Sequence, residues 1–385
     1  MSFQGYRRPD DSVGVRNHVL VMPSVVCANT VVEKIGRELP EVIAITHQHG
    51  CDQIGEDLAQ TRRTLVGLGR NSNVAAVLVV GLGCETLVAE SLAAGIAEAG
   101  KRVELLTIQE EGGSPKAQEK GVKLARQLLQ EAARYERVEC DAGELVMGTQ
   151  CGASDACSGI TANPTLGVAS DLLVEAGGTV ILSETMEFIG AEHLLAERAA
   201  DIQVRGDIYR IVSRFEEKAK SMGVDIRGAQ PTPGNMAGGI TTIEEKSLGC
   251  IYKSGTSQVR EVVEYGERPT QKGLVIMDTP GNDVESLAGM VAGGAQVLVF
   301  TTGRGTPVGS PIAPVIKVVS NSTVYLGMLD NMDIDAGTIL EGKENLEEVG
   351  RRIFREVIQV ASGKLTKAEI LGHREFSLNR IGPTL

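Results

Sequence analysis

The sequence predicts an α/β protein of two domains: a parallel-sheet N-terminal domain with helices on both faces, followed by a second α/β domain. Three observations carry this. At 385 residues the chain is longer than one core usually supports. Short β-rich runs alternate with amphipathic stretches, as in a parallel sheet flanked by helices. The alternation breaks near residues 140–144 and then resumes, which divides the chain into 1–143 and 144–385, with the active site expected in the cleft between them.

In the first half, residues 19–21, 42–46, 74–80 and 103–107 read as strands, and 29–39, 57–67 and 86–99 as helices. In the second half a strand is expected from Val146 to Cys151, a helix over 165–175 and a strand over 179–182. A charged helical region covers 191–222, and 228–239 is rich in turn residues. Strands follow at 274–277 and 297–301, and an amphipathic helix at 344–362 closes the chain. With no Trp and six each of Phe and Tyr, the core must be built from aliphatic residues.

A net charge of −12 argues against nucleic acid or an anionic membrane as partner, since both select a basic face. No window approaches the roughly 18 unbroken apolar residues of a membrane span, and residues 1–11 lack the apolar core of a signal peptide. A cytoplasmic enzyme is expected. In that compartment the seven cysteines stay reduced, free to pack or to bind metal.

Ligands of parallel sheets sit beyond the carboxyl ends of the strands, and polar clusters fall there. His47-Gln48-His49-Gly50-Cys51 follows one strand and Gly83-Cys84-Glu85 another. Imidazole and thiolate suit iron or zinc; a polar loop with one buried Cys is the simpler alternative. Gln150-Cys151-Gly152-Ala153-Ser154-Asp155 offers a thiol, a hydroxyl and a carboxylate in one glycine-punctuated turn, suited to substrate binding by Gln150, Ser154 and Asp155 or to plain capping. Glu184, Glu187 and His193, with His47 and His49, are candidate acids, bases or metal ligands, although an acidic first helical turn would look the same. Arg304 could clamp a carboxylate, with Asn235 and Lys246 in the same cleft. The loop of residues 278–283 completes the set of strand-end turns. Neither the G-x-x-x-x-G-K-[ST] phosphate loop nor a G-x-G-x-x-G after the first strand is present, so nucleotide binding is not expected. Cys51, Cys84 and Cys151 all fall at strand-end turns. Converged, they would ligate a [4Fe–4S] cluster with one open iron; a mononuclear Fe²⁺ site stands beside that reading. Cys27, Cys140, Cys157 and Cys250 read as small buried residues.

Taken together, these segments resemble the altronate and galactarate dehydratase family. The resemblance runs through Gly5-Tyr6-Arg7-Arg8, residues 47–51 and 81–85, and Cys151-Gly152-Ala153-Ser154-Asp155. It continues through Lys246-Ser247-Leu248-Gly249-Cys250, Met277-Asp278-Thr279-Pro280-Gly281 and Thr302-Gly303-Arg304-Gly305. It implies an iron-dependent hydro-lyase that dehydrates a sugar acid to its 2-keto-3-deoxy product. A base would remove the proton α to the carboxylate, and the β-hydroxyl would leave. Full-length members resemble this chain only after a small N-terminal domain, so the resemblance implies that this domain is either a separate small subunit or absent; the related sulfolactate sulfo-lyase has the split arrangement, and its sulfite elimination is the rival activity. A non-catalytic sugar-acid binder is the alternative of another class. Homo-oligomerisation is expected.

Overall fold

The computed structural model describes residues 1–382. Its largest element is a seven-stranded, all-parallel sheet in the order Val259–Val263, Gly273–Met277, Thr179–Leu182, Val146–Gly152, Val297–Thr302, Val315–Val319, Ile334–Asp335. A four-stranded parallel sheet is ordered Ile43–Ala44, His18–Pro23, Val74–Gly81, Arg102–Thr107. Val74–Gly81 is buried at every position, as a central strand covered on both faces requires.

A third sheet, antiparallel and three-stranded, pairs Ser2–Arg7 with Val13–Gly14 and with Val138–Asp141. It ties the start of the chain to the point where the first half ends. There Asp141 and Glu144 form a reciprocal capping box that turns the chain into the seven-stranded sheet.

The two parallel sheets share a hydrophobic core. Leu20, Met22 and Val77 pack in one cluster with Val275, Met277 and Leu298. Helices Gly55–Arg70 and Asp283–Ala292 lie between the sheets, and Gly67 allows the close approach, since a Cβ there would sit 2.4 Å from the Ala292 carbonyl oxygen. The far face of the large sheet is covered by Ala162–Glu175 and Leu346–Ala361, where Val349, Ile353 and Val357 are buried. After residue 372 the chain runs back across the molecule: Glu375 accepts from the Gly309 amide at 2.8 Å, Asn379 O accepts from Gln60 at 3.0 Å, and Arg380 pairs with Asp57. Among the described residues no helix is long and apolar enough to cross a membrane.

In each parallel sheet the first strand is central and later strands add on both sides of it. Such reversals open a crevice at the carboxyl edge. In the large sheet the reversal falls between Val146–Gly152 and Val297–Thr302; in the small one, between His18–Pro23 and Val74–Gly81.

Candidate active site

The crevice of the large sheet holds a close group of ionisable side chains. Cys151, at the end of its strand, is fully buried, with Sγ 3.4 Å from Cys250 Sγ. Lys253 Nζ lies 3.1 Å from Cys151 Sγ and 2.6 Å from Glu184 Oε2. Glu187 Oε2 lies 3.0 Å from Cys250 Sγ, and its other oxygen pairs with Lys246 at 2.8 Å.

The backbone places these groups. Strand Thr179–Leu182 ends at a sharp turn in which Glu184 adopts φ 72°, a left-handed conformation that costs a non-glycine residue about 1–3 kcal/mol. The Thr279 hydroxyl accepts from the Glu184 amide at 2.7 Å. The carboxylate then turns back under the neighbouring strand, where it accepts from the Cys151 amide at 2.9 Å and from Gln150 at 2.6 Å. On the other side, Lys246, Cys250 and Lys253 are spaced by four and three residues along helix Ile243–Ile251 and the turn after it. That spacing puts all three on one face, toward the strand ends.

Charge balance follows from this packing. Burial opposes the Lys253 charge, yet the surrounding Cys151, Glu184, Cys250 and Glu187 outweigh it and hold the ammonium protonated. The hydrogen bond with Cys250 brings Cys151 down to about 6, against burial and helped by Lys253. Burial raises Glu184 well above the carboxylate range, and Cys151 adds to the shift. Asp283, which accepts from Gln150 at 3.0 Å, is pushed up to about 7 by desolvation, reinforced by Cys151 and Glu187. A carboxyl group so poised can exchange a proton near neutral pH.

In front of this cluster opens a cleft of about 470 Å³, the size of a small-molecule site. Cys151, Glu187, Lys246 and Asp283 lie at its back; Thr232, Asn235 and Arg304 line its mouth. Every lining residue lies between 151 and 305. Arg304 is exposed, and a Gly234 carbonyl 3.2 Å away is its hydrogen-bond acceptor, which leaves most of its donor fork facing the opening. An acid with several hydroxyls finds here two cations, polar donors and a titratable base.

Residues 142–384 match the family described as D-galactarate/altronate dehydratase, C-terminal, and residues 5–133 that described as D-galactarate dehydratase/altronate hydrolase, second domain. The chain belongs to the galactarate/altronate dehydratase family. It is 37% identical to the altronate dehydratase of Bacillus subtilis over 395 residues, covering 100% of this chain and 78% of that one. It is 40% identical to the galactarate dehydratase (L-threo-forming) of Escherichia coli over 383 residues, 94% of this chain and 73% of that one. It is 39% identical to the (2R)-sulfolactate sulfo-lyase subunit beta of Chromohalobacter salexigens over 382 residues, 99% of this chain and 97% of that one. These relatives are lyases, and so is this member of the family.

Within this dehydratase-family cleft, five of the residues singled out in the sequence come together, Glu187, Cys151, Lys246, Ser154 and Arg304, with Glu184 beneath them against Cys151. Asn235 is there too, but its side chain is engaged: Oδ1 accepts from the Thr232 hydroxyl at 2.8 Å and Nδ2 donates to Ser154 O at 3.0 Å. Gln150 lies behind the cluster, bridging Glu184 and Asp283. Asp155 accepts from Ser158, Ser320 and Asn321 and so ties three loops together, which leaves little capacity for substrate.

The remaining candidates lie elsewhere. His47 is buried in the first half, its Nε2 2.9 Å from Pro23 O, and desolvation lowers it to about 4. It is a neutral packing group. His49 stacks near it and lies against the tail at Leu378. His193 is exposed on helix Glu192–Ala196 and does not line the cleft. Cys51 and Cys84 sit on loops of the four-stranded sheet. Cys151 ends a strand of the other sheet, where its sulfur meets Cys250, Glu184 and Lys253. Its thiol partner is Cys250, which the sequence suggested was only a small core residue.

Among the described residues, Cys151, Glu187 and Cys250 form the donor group that could hold a metal ion, with their ligand atoms within 4.8 Å of one another. Thiolate and carboxylate donors suit a divalent transition metal. The ammonium groups of Lys246 and Lys253, at 2.8 and 3.1 Å from these donors, already balance their charge.

Proposed function

We propose that this protein is a soluble cytoplasmic hydro-lyase that dehydrates a hexonate or hexarate to the 2-keto-3-deoxy acid, and that it depends on iron. The observation that carries the chemistry is Asp283, a carboxyl group titrating near neutrality in a cleft that also presents Lys246 and Arg304.

In this reading Arg304, at the mouth, binds the substrate carboxylate through its guanidinium fork. Lys246 is held protonated by Glu187 and Cys250 against its burial, and it stabilises the negative charge that grows on the carboxylate as the α-proton leaves. Asp283 takes that proton. Ser154 and Thr232 orient the hydroxyls. Bound iron would supply Lewis-acid assistance to hydroxyl departure. Two donor sets could hold it: Cys151, Glu187 and Cys250 for a single ion, and the thiols of the first half for a cluster.

Two of the relatives are named as dehydratases of altronate and galactarate, which favours a sugar acid over sulfolactate. The sulfo-lyase relative is named as a subunit, and we propose a small partner chain for this protein as well. The test is turnover under anaerobic, iron-loaded conditions, alone and with the candidate partner. A panel of hexonates, hexarates and sulfolactate would be followed by keto-acid and sulfite assays. Keto acid from a sugar acid supports the reading; sulfite as the sole product replaces it with the sulfo-lyase activity.

A further inference from the structure

The second crevice, at the carboxyl edge of the four-stranded sheet, carries a thiol on each of three adjacent loops. Cys27 lies in the turn after His18–Pro23, Cys51 in the loop after Ile43–Ala44, and Cys84 in the loop after Val74–Gly81. These three strands are neighbours, and the crevice opens between the first and the third. Backbone bonds lace the loops together: Val26 N to His49 O at 2.9 Å and Leu87 N to Gly50 O at 2.9 Å. The Asp52 amide also donates to the Thr86 hydroxyl at 3.1 Å. Cys27 and Cys84 are exposed and Cys51 is half-exposed, unlike Cys151 and Cys250. Cys51 lies close enough to Cys27 to feel its charge. In the same loop, His49 Nδ1 is buried with no hydrogen-bond partner among the described residues.

We propose that Cys27, Cys51 and Cys84 ligate an iron–sulfur cluster of the [4Fe–4S] type, with three irons held by thiolates and the fourth open. This rests on the iron dependence in the function proposed above and assigns where the iron is held. Thiolates on separate corners of a cluster stand further apart than the ligands of one ion, and three loops at the ends of adjacent strands provide that spread. Each thiol releases one proton on ligation. Cys151 and Cys250 are the poorer candidates, because Lys246 and Lys253 already neutralise that corner. The tail joins the two crevices: Glu375 holds Gly309, beyond Arg304, and Leu378 lies against His49.

The full chain would be purified without oxygen and reconstituted with ferrous iron, sulfide and a thiol reductant. Iron, acid-labile sulfide and the visible charge-transfer band would then be measured, and the cysteines mapped by alkylation before and after loading. The expected result is sulfide equal to iron, with protection of Cys27, Cys51 and Cys84 on loading. C27S, C51S and C84S should each lose at least tenfold in labile sulfide with unchanged circular dichroism, while C250A keeps it. Iron without sulfide, protection confined to Cys151 and Cys250, or full sulfide in the three serine variants would overturn the assignment. If sugar-acid turnover survives that outcome, only the ligand assignment falls. A sulfide-containing cluster with no turnover of any panel acid would instead remove the proposed function and leave the cluster site standing.

Discussion

Lys253 Nζ lies 2.6 Å from Glu184 Oε2 and 3.1 Å from Cys151 Sγ, with no part of the lysine side chain exposed. One cation therefore neutralises a fully buried anionic corner beneath the cleft. Removing a member of such a group leaves charge without a partner or solvent, at a typical cost of about 3–5 kcal/mol. Lys253→Met should lower the denaturation midpoint accordingly, and Glu184→Gln should do so less, since that change keeps a hydrogen-bonding group. The double variant should be more stable than the sum of the two losses predicts. Additive losses in chemical denaturation would show that the residues are not coupled.

Asp283 gives a pH signature. As a base it must be ionised, so kcat should rise with pH through about 7 and level off above it. Asp283→Asn should lower kcat by roughly 10²–10⁴-fold and abolish that acid limb. Stability should move the other way. The folded-state pKa is raised above the unfolded value, so the group's contribution to stability is present in full below about pH 4 and is lost as pH rises through about 7. The asparagine variant should therefore equal or exceed the parent in stability above pH 7.

Arg304 is exposed at the cleft mouth, with the Gly234 carbonyl as an acceptor 3.2 Å away. Arg304→Ala should raise KM by roughly 10–100-fold, the worth of a charge-assisted hydrogen bond, with a smaller change in kcat. Arg304→Lys should recover little of this, because a point charge cannot reproduce the planar fork. A kcat loss at constant KM would place Arg304 in the chemical step instead.

His47 should matter for folding and not for turnover. Its ring is buried and held neutral against Pro23 O, with its pKa lowered to about 4 by desolvation. Since the folded pKa lies below the unfolded one, its contribution to stability is complete above about pH 6.5 and is lost as pH falls toward 4. His47→Ala should cost about 1–3 kcal/mol from the unpaired Pro23 carbonyl and the space left behind, with kcat of the folded fraction retained. Stability curves at pH 5 and pH 7.5 would check the sign.

Much of this was legible in the residues. The strand at 179–182 has the bounds expected for it, and the apolar run at 74–80 is the buried central strand, because aliphatic runs of that length have one stable use in a parallel sheet. Ser2–Arg7 and Val259–Val263 were harder to see. The first is polar and pairs antiparallel at a short sheet; the second carries Arg260 and Glu261 at the edge of the large one, where no apolar run is needed. At the site, strand-end positions pointed to Cys151, Glu184, Glu187 and Arg304, but sequence order does not say which strands are neighbours. Cys51 and Cys84 follow strands of the four-stranded sheet, whereas Cys151 ends a strand of the seven-stranded one. The missed members, Cys250 and Lys253, did leave a signal: Lys246, Cys250 and Lys253 at spacings of four and three mark one helix face. Asp283 was visible only as part of a glycine-rich turn, since its shift arises from burial beside Cys151 and Glu187.

The most direct test of the account is a single turnover experiment in D₂O. Iron-loaded protein would be incubated anaerobically with altronate or galactarate, and the product examined by mass spectrometry and NMR. Abstraction of the α-proton and loss of the β-hydroxyl give an enol whose ketonisation takes a proton from solvent, so the 2-keto-3-deoxy acid should carry one deuterium at C3. Asp283→Asn should make it at least a hundredfold more slowly. Absence of any keto acid across the sugar-acid panel, or undiminished turnover by Asp283→Asn, would contradict the assignment of this cleft as the dehydration site.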